Sequence, residues 1–217
     1  MANIDELRKR AVKLLKNKGD TVLTLKQKNN FLLLKQHSPA NLGATFYEPA
    51  LCLILQGRKE VITGQRSLSF GVGELLIISH DVPVVSKITE ASGDSPYLAL
   101  VLGLDIGIVR GLYDEFADIP FDKAQAHSLE VKEATLDIID SLYRLVGATQ
   151  NSTDSVVLLP QILREVHFRL LQAPCGGMFR NLLRANIHAS KISNAISLIH
   201  TRSSAHISVS EVAKSVG

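Results

Sequence analysis

Residues 51–79 read LCLILQGRKEVITGQRSLSFGVGELLIIS, a series of short apolar runs separated by glycine and polar residues. Short runs of apolar and β-branched residues bounded by turn formers are typical of β-strands. Gly64 can adopt a positive φ at the first corner of a two-residue turn, which predicts a hairpin around it. The same pattern extends in both directions and predicts eight strands, at residues 21–25, 31–35, 51–56, 59–63, 66–70, 74–79, 84–89 and 97–104.

Helical periodicity flanks this block of strands on both sides. Residues 1–20 carry apolar side chains at spacings of three, four and seven, and Gly19 is a natural end for that helix. From about residue 105 onwards the apolar spacing is again helical. A run of strands followed by a run of helices predicts an α+β fold. Eight closely spaced strands without intervening helices favour a closed β-barrel or a jelly roll, which can enclose one small ligand.

Two amphipathic helices are predicted behind the strands, at residues 128–148 and from about 159 to 170. The first carries two apolar stripes, although one stripe is enough to cover a barrel. The second stripe therefore needs another surface, either the neighbouring helix or a partner chain. Because a pair of antiparallel helices is a common dimer contact, we predict a homodimer through Leu136, Ile139, Leu142, Tyr143, Leu163, Val166 and Leu170.

The last ten residues have the sequence features of a short helix. Ser208 and Glu211 have the spacing of a capping box, and Gly217 stands where a terminal glycine belongs. A helix of about two turns that ends in glycine is typical of the first half of a helix-turn-helix unit. The second helix, which enters the DNA groove, is not in this sequence. We therefore expect no sequence-specific DNA binding by these 217 residues alone.

Composition excludes several classes of protein. The net charge of +3 is mild, and aromatic residues make up only 5% of the chain, which disfavours a nucleic-acid stacking platform. No apolar run approaches the length of a membrane span, and the first residues contain no apolar signal region. Two cysteines are too few for a disulfide framework. These features predict a cytoplasmic protein without a membrane partner.

Catalytic and metal-binding signatures are not evident in the sequence. A metal site on a barrel of this kind needs a closely spaced histidine pair with further ligands, but the strand block contains only His37 and His80. No nucleophile elbow, zinc-protease motif or phosphate-binding loop occurs. Cys52 alternates with leucines in a strand and is predicted to be a buried structural thiol. We therefore predict no catalytic residue, no metal and no cofactor.

Several stretches occur in an order that is informative when they are taken together. They are YEPALCL at 47–53 with QGRK at 56–59, SHDVPV at 79–84, EAS at 90–92 with PYLAL at 96–100, and ILRE at 162–165 with RLL at 169–171. With the tail from residue 192, this order resembles the N-terminal region of AraC-type (arabinose-regulator-like) transcription regulators. The resemblance implies a cupin-like sensor barrel (a double-stranded β-helix or jelly roll), a helical dimerisation segment and two helix-turn-helix units, of which only the opening is present.

These observations predict four parts: an N-terminal helix at 1–20, a cupin-like effector-sensing barrel at 21–125, a helical dimerisation segment at 126–173, and at 174–217 a linker with the start of the DNA-binding domain. The predicted function is sensing of an unknown small-molecule effector that shifts a two-state equilibrium in the helices. The predicted anchors for that effector interrupt or flank apolar strands: Tyr47, Glu48, Gln56, Arg58 and His80. Two alternatives remain open, a cupin-type metal-dependent enzyme and a structural dimerisation module without a ligand.

Overall fold

The computed structural model describes residues 1–26, 31–115, 128–173 and 178. The helices are α1 (Ile4–Leu14), α2 (Ile106–Glu115), α3 (Leu136–Ala148), α4 (Ser152–Val157) and α5 (Leu159–Gln172). The strands are β1 (Thr21–Lys26), β2 (Phe31–Gln36), β3 (Ala40–Tyr47), β4 (Ala50–Gln56), β5 (Arg58–Thr63), β6 (Arg66–Gly71), β7 (Glu74–Ile78), β8 (Val82–Glu90), β9 (Tyr97–Gly103) and β10 (Leu129–Glu133). All eight predicted strands are confirmed, and β3 and β10 are additional.

The strands form two antiparallel sheets. The larger has six strands in the order β1-β2-β9-β4-β7-β10, and the smaller has four in the order β3-β8-β5-β6. No strand pairing joins the two sheets among the described residues. The predicted closed barrel is therefore wrong, and the α+β class is confirmed as a mixed fold with two antiparallel sheets that pack face to face.

The chain crosses from one sheet to the other at Gly57, between β4 and β5. Gly57 has a φ of +81°, in the left-handed region that favours glycine. A Cβ at this position would collide with the carbonyl oxygen of Glu90 and press on the backbone of Tyr97. The crossing therefore requires both the backbone freedom of glycine and its lack of a side chain.

Strands β4, β7 and β9 of the six-stranded sheet are buried on both faces, because they lie between the helices and the four-stranded sheet. In β4, Leu51, Leu53 and Leu55 belong to the core shared with the helices. Cys52 and Ile54 point the other way, into the core between the two sheets. Burial on both sides explains why strands of this sheet read as nearly continuous apolar runs in the sequence.

The four-stranded sheet has one buried face and one exposed face. Along β8, Val82, Val84, Ser86 and Ile88 are buried, while Pro83, Val85 and Lys87 between them are exposed. Strict alternation of this kind is expected for a sheet that faces solvent on one side.

The helical layer differs from the predicted layout at residues 128–135. The predicted helix over 128–148 is wrong in its first part, where β10 adds to the edge of the six-stranded sheet by pairing with β7. Leu129 is buried between the sheets and Val131 packs partly against the same core, an alternation that fits a strand. Helix α3 begins after Thr135, whose side chain accepts a hydrogen bond from the backbone N–H of Ile138.

The predicted dimer residues lie mostly inside the chain's own core. Ile139, Leu142, Leu163, Val166 and Leu170 are buried where α3 and α5 pack on each other and on the six-stranded sheet. Tyr143 is half-buried beneath the guanidinium of Arg10, 3.5 Å from its ring centre, and Leu136 is 59% exposed. The second apolar stripe thus finds its surface on the neighbouring helix, which is one of the two alternatives that the sequence allowed.

Two further predictions meet the structure in different ways. No helix of the described residues is long and apolar enough to cross a lipid bilayer. The predicted opening of the helix-turn-helix unit, including Ser208, Glu211 and Gly217, lies outside the described residues.

Candidate functional site

A cavity of about 290 Å³ lies between the two sheets. The six-stranded sheet supplies a wall made mainly of apolar side chains, and the four-stranded sheet and the β3–β4 corner supply the opposite side. The lining residues are Leu32, Leu34, Phe46, Tyr47, Glu48, Pro49, Ala50, Cys52, Lys59, Leu76, Ile78, Val101 and Gly103. A mostly apolar concavity with a few polar groups is the usual form of a small-molecule site, and this volume is near the lower end of the range for such sites.

Lys59 is the buried cation of this cavity, with only 8% of its surface exposed. It lies on β5, where Lys59 and Val61 are buried and the side chains between and after them are more exposed. Its neighbours in the chain have ion-pair partners: Arg58 pairs with Glu90 at 3.1 Å, and Glu60 pairs with Lys87 at 2.7 Å. No carboxylate of the described residues lies within 4 Å of the Lys59 ammonium.

Tyr47 holds the Lys59 ammonium from one side. The Lys59 Nζ lies 5.2 Å from the centre of the Tyr47 ring, within the range of a cation–π interaction. The Tyr47 hydroxyl in turn donates a hydrogen bond to Ser86 Oγ at 3.0 Å, which ties β3 to β8. This hydrogen bond fixes the position of the Tyr47 ring, but the ring supplies no negative charge to pair with the Lys59 ammonium.

Cys52 forms part of the opposite wall. Burial raises the pKa of its thiol, so the thiol is in its neutral form at neutral pH, although the charge of Lys59 opposes this shift. Burial also raises the pKa of Tyr97, whose hydroxyl contacts the thiol. The predicted role of Cys52 as a buried thiol agrees with this environment.

The structure separates the five predicted anchors. Tyr47 and Glu48 line the cavity. Gln56 instead donates from Nε2 to the Pro96 carbonyl at 2.8 Å, an arrangement that holds two chain segments together. Arg58 faces outwards, where it pairs with Glu90.

His80 is the fifth predicted anchor, and it does not line the cavity. It is 4% exposed and follows β7, with its Nδ1 2.8 Å from the hydroxyl oxygen of Ser79. Its Nε2 is buried without a hydrogen-bond partner among the described residues. Burial lowers the pKa of this imidazole, which favours its neutral form.

Among the described residues, no three histidine, cysteine or acidic side chains come together as metal ligands. The polar groups that do converge on the cavity are one ammonium, one phenol ring, one thiol and one carboxylate at the rim. This set is suited to binding an organic molecule by charge and apolar contact.

The sequence profile of the AraC-type transcriptional regulator N-terminus matches residues 29–178. The chain belongs to this family. The resemblance predicted from the sequence is thus confirmed, and the described residues are the N-terminal domain of an AraC-type regulator. No curated protein matches the chain significantly.

Solved structures of ToxT from Vibrio cholerae share this regulator's fold. Apo ToxT K231A of strain SCE256 has a TM-score of 0.56 at 13% identity, with 86% of this chain and 70% of that chain covered. ToxT of strain O395, bound to (E)-4-(8-methylnaphthalen-1-yl)but-3-enoic acid, has a TM-score of 0.50 at 11% identity, covering 84% and 71%. A cupin superfamily protein from Desulfitobacterium hafniense has a TM-score of 0.33 at 15% identity, covering 43% and 85%.

The sequence reasoning missed Lys59, the most buried charge in this regulator's described residues. A signal was present in the alternation of residues 58–63, which places Lys59 and Val61 on one face. Because Lys59 lies on the same face of the strand as the apolar Val61, its side chain is expected to point towards the core. Arg58 lies on the other face and is expected to point outwards.

Proposed function

We propose that the cavity between the sheets is the effector site of this regulator, and that its effector is a small amphipathic anion such as a carboxylate with a hydrocarbon body. The observation that carries this proposal is Lys59, a largely buried lysine that has no ion-pair partner among the described residues and that lines a mostly apolar cavity. A positive charge in such a cavity attracts an anion more strongly than it would in bulk water. The ligand named for the ToxT structure of strain O395 is also a carboxylic acid with a large apolar body.

The apolar body would lie against the six-stranded sheet. Leu34, Leu76 and Val101 present aliphatic surface on that wall. A second concavity, of about 370 Å³, shares Leu34 and Lys59 with the first. Lys59 therefore stands between two spaces, so a hydrocarbon chain has room on either side of its charged end.

A series of ligands with one hydrocarbon chain and three headgroups tests this proposal. Octanoate, octanol and octylamine carry a negative, a neutral and a positive headgroup. We expect affinity to fall in that order when binding to the chain is measured by isothermal titration calorimetry. Lys59→Gln should weaken octanoate by about tenfold to a hundredfold, the range for a hydrogen bond to a charged group. Octanol should change much less.

Lys87→Gln is the matched control. It removes the same charge from the same sheet, but Lys87 pairs with Glu60 on the outer face. Its affinity for octanoate should stay close to that of the unmodified chain. Octanoate binding that is equally strong in Lys59→Gln, or no binding of octanoate to the unmodified chain, would overturn the proposal.

The remaining parts of the function follow the family. The domain acts without catalysis in the cytoplasm, as one half of a homodimer, and it controls DNA binding by residues beyond α5. Because most of the predicted dimer residues are buried within the chain, the dimer surface is formed by the outer side of residues 128–172, where Leu136 is exposed.

A further inference from the structure

Three consecutive residues at the end of β9 connect the cavity to the helical layer. Gly103 lines the cavity. The backbone N–H of Leu104 donates to the Pro49 carbonyl at 2.9 Å, and Pro49 also lines the cavity. The backbone N–H of Asp105 donates to His167 Nε2 at 2.9 Å. Gly103 and Asp105 are two residues apart and therefore at most about 7 Å from each other, so the cavity wall lies close to the hydrogen bond that joins Asp105 to α5.

Both ring nitrogens of His167 make hydrogen bonds at this connection. It lies on α5 and is 1% exposed. Its Nδ1 is 2.7 Å from the Leu163 carbonyl oxygen, which can only accept, so Nδ1 carries the proton. Nε2 is then free to accept from Asp105. Burial lowers the pKa of this imidazole, in keeping with the neutral form that the geometry requires.

The same junction also fixes α2 to α5. The Asp105 carboxylate accepts from the backbone N–H groups of Gly107 at 2.9 Å and Ile108 at 3.2 Å, which caps the start of α2. At the other end of α2, Glu115 pairs with Arg164 of α5 at 2.6 Å. Helix α2 is thus attached to α5 at both ends, and Asp105 is the end that is continuous with the cavity wall.

We infer that His167 is a coupling residue that transmits occupancy of the cavity to α5, through Leu104 and Asp105. This inference rests on the proposed function, because it assumes that occupancy of the cavity is the signal. A molecule in the cavity contacts Gly103 and Pro49, and a shift of either residue moves the Leu104–Asp105 backbone. The hydrogen bond to His167 passes that shift to α5, the last helix before residues 174–217.

A covalent filling of the cavity tests this coupling without any ligand. Ala50 and Gly103 are cross-strand partners that both line the cavity. Ala50→Leu therefore places an isobutyl group where a ligand would lie. We expect it to change the hydrogen-exchange rates of amides in residues 159–172 by about fivefold or more, a common size for coupling between sites.

The substitution is then combined with variants of His167. His167→Gln keeps an acceptor for the Asp105 N–H and should preserve the response of α5 to Ala50→Leu. His167→Leu removes the acceptor and should reduce that response to less than about twofold, because interacting sites are non-additive. His167→Met is measured in the same way if the leucine variant does not fold. Val166→Ala is the control, since it loses buried packing one residue away without touching the hydrogen bond.

Three results would contradict the coupling between the cavity and α5. An equal response in His167→Leu, or no response in the unmodified background, overturns the coupling. Loss of the response in Val166→Ala also overturns it, because destabilisation of α5 alone would then suffice. The octanoate series addresses the effector, whereas this experiment addresses only the connection, so the two proposals can fail separately.

Discussion

The two sheets of this domain are built from similar strands but stand in different environments. The six-stranded sheet has helices on one face and the second sheet on the other, so nearly every side chain of β4, β7 and β9 is buried. The four-stranded sheet covers the first with one face and leaves the other exposed. The cavity lies between them and takes its apolar wall from the larger sheet and its Lys59 and Tyr47 from the smaller. The larger sheet therefore supplies the packed apolar wall of the cavity, and the smaller sheet supplies its charged and aromatic side chains.

The largest expected contrast comes from one substitution made in each sheet. Ile77 of β7 faces the helices and is fully buried, whereas Ile62 of β5 is 36% exposed. Ile77→Ala should lower the free energy of unfolding by about 3 kcal/mol, through lost burial and the cavity left behind. Ile62→Ala should cost about 1 kcal/mol or less, mostly from β-propensity. Urea denaturation of both variants measures the contrast, and equal losses would mean that the sheets do not differ in this way.

A smaller contrast is expected between the two faces of the larger sheet. Leu53 of β4 and Leu76 of β7 are both fully buried, but Leu53 packs in the core shared with the helices while Leu76 lines the cavity between the sheets. Leu53→Ala should cost about 1 kcal/mol more than Leu76→Ala, because a side chain that borders an existing cavity has fewer contacts to lose. The same denaturation experiment applies. A greater loss in Leu76→Ala would show that the cavity wall is as tightly packed as the helical face.

The sequence predicted the strands better than it predicted their arrangement. Residues 51–56 and 97–104 were identified as strands because apolar runs bounded by turn formers are a local signal. Closure of a barrel depends on hydrogen bonds between strands far apart in sequence, and no local pattern reports whether they form. Strand β3 was missed because residues 40–47 are mostly polar or small, with only one of them a β-branched residue.

The candidate site was predicted in part for the same reason. Tyr47 was identified because it flanks the apolar run at 51–56, and it does line the cavity. Gln56 and His80 were chosen on similar grounds, but their positions depend on which face of which sheet they occupy. Leu163 and Val166 were assigned to a dimer contact because a helical stripe shows that a surface is buried. It does not show whether the partner is the same chain.

The smallest expected effect is on the pH dependence of stability, and it compares His167 of α5 with His80, which follows β7. His167 and His80 both have pKa values lowered by burial, so the folded state resists protons that the unfolded state takes up. The free energy of unfolding should therefore be highest above the usual histidine pKa of about 6.5 and should decrease as the pH falls below it. The lowered pKa values of Asp20, Glu60 and Asp140 act in the same direction, but only at lower pH, where carboxylates begin to gain protons.

His167 should account for more of this decline than His80. Protonation of His167 Nε2 would set two donors against each other at Asp105, whereas His80 Nε2 faces no donor among the described residues and loses only solvation. The nearby Asp105 carboxylate offsets part of the effect at His167. Urea unfolding between pH 5 and pH 8 should accordingly show a flatter profile for His167→Gln than for His80→Gln. If His80→Gln gives the flatter profile, the hydrogen bond between Asp105 and His167 is not what holds the imidazole neutral, and desolvation alone is the stronger influence.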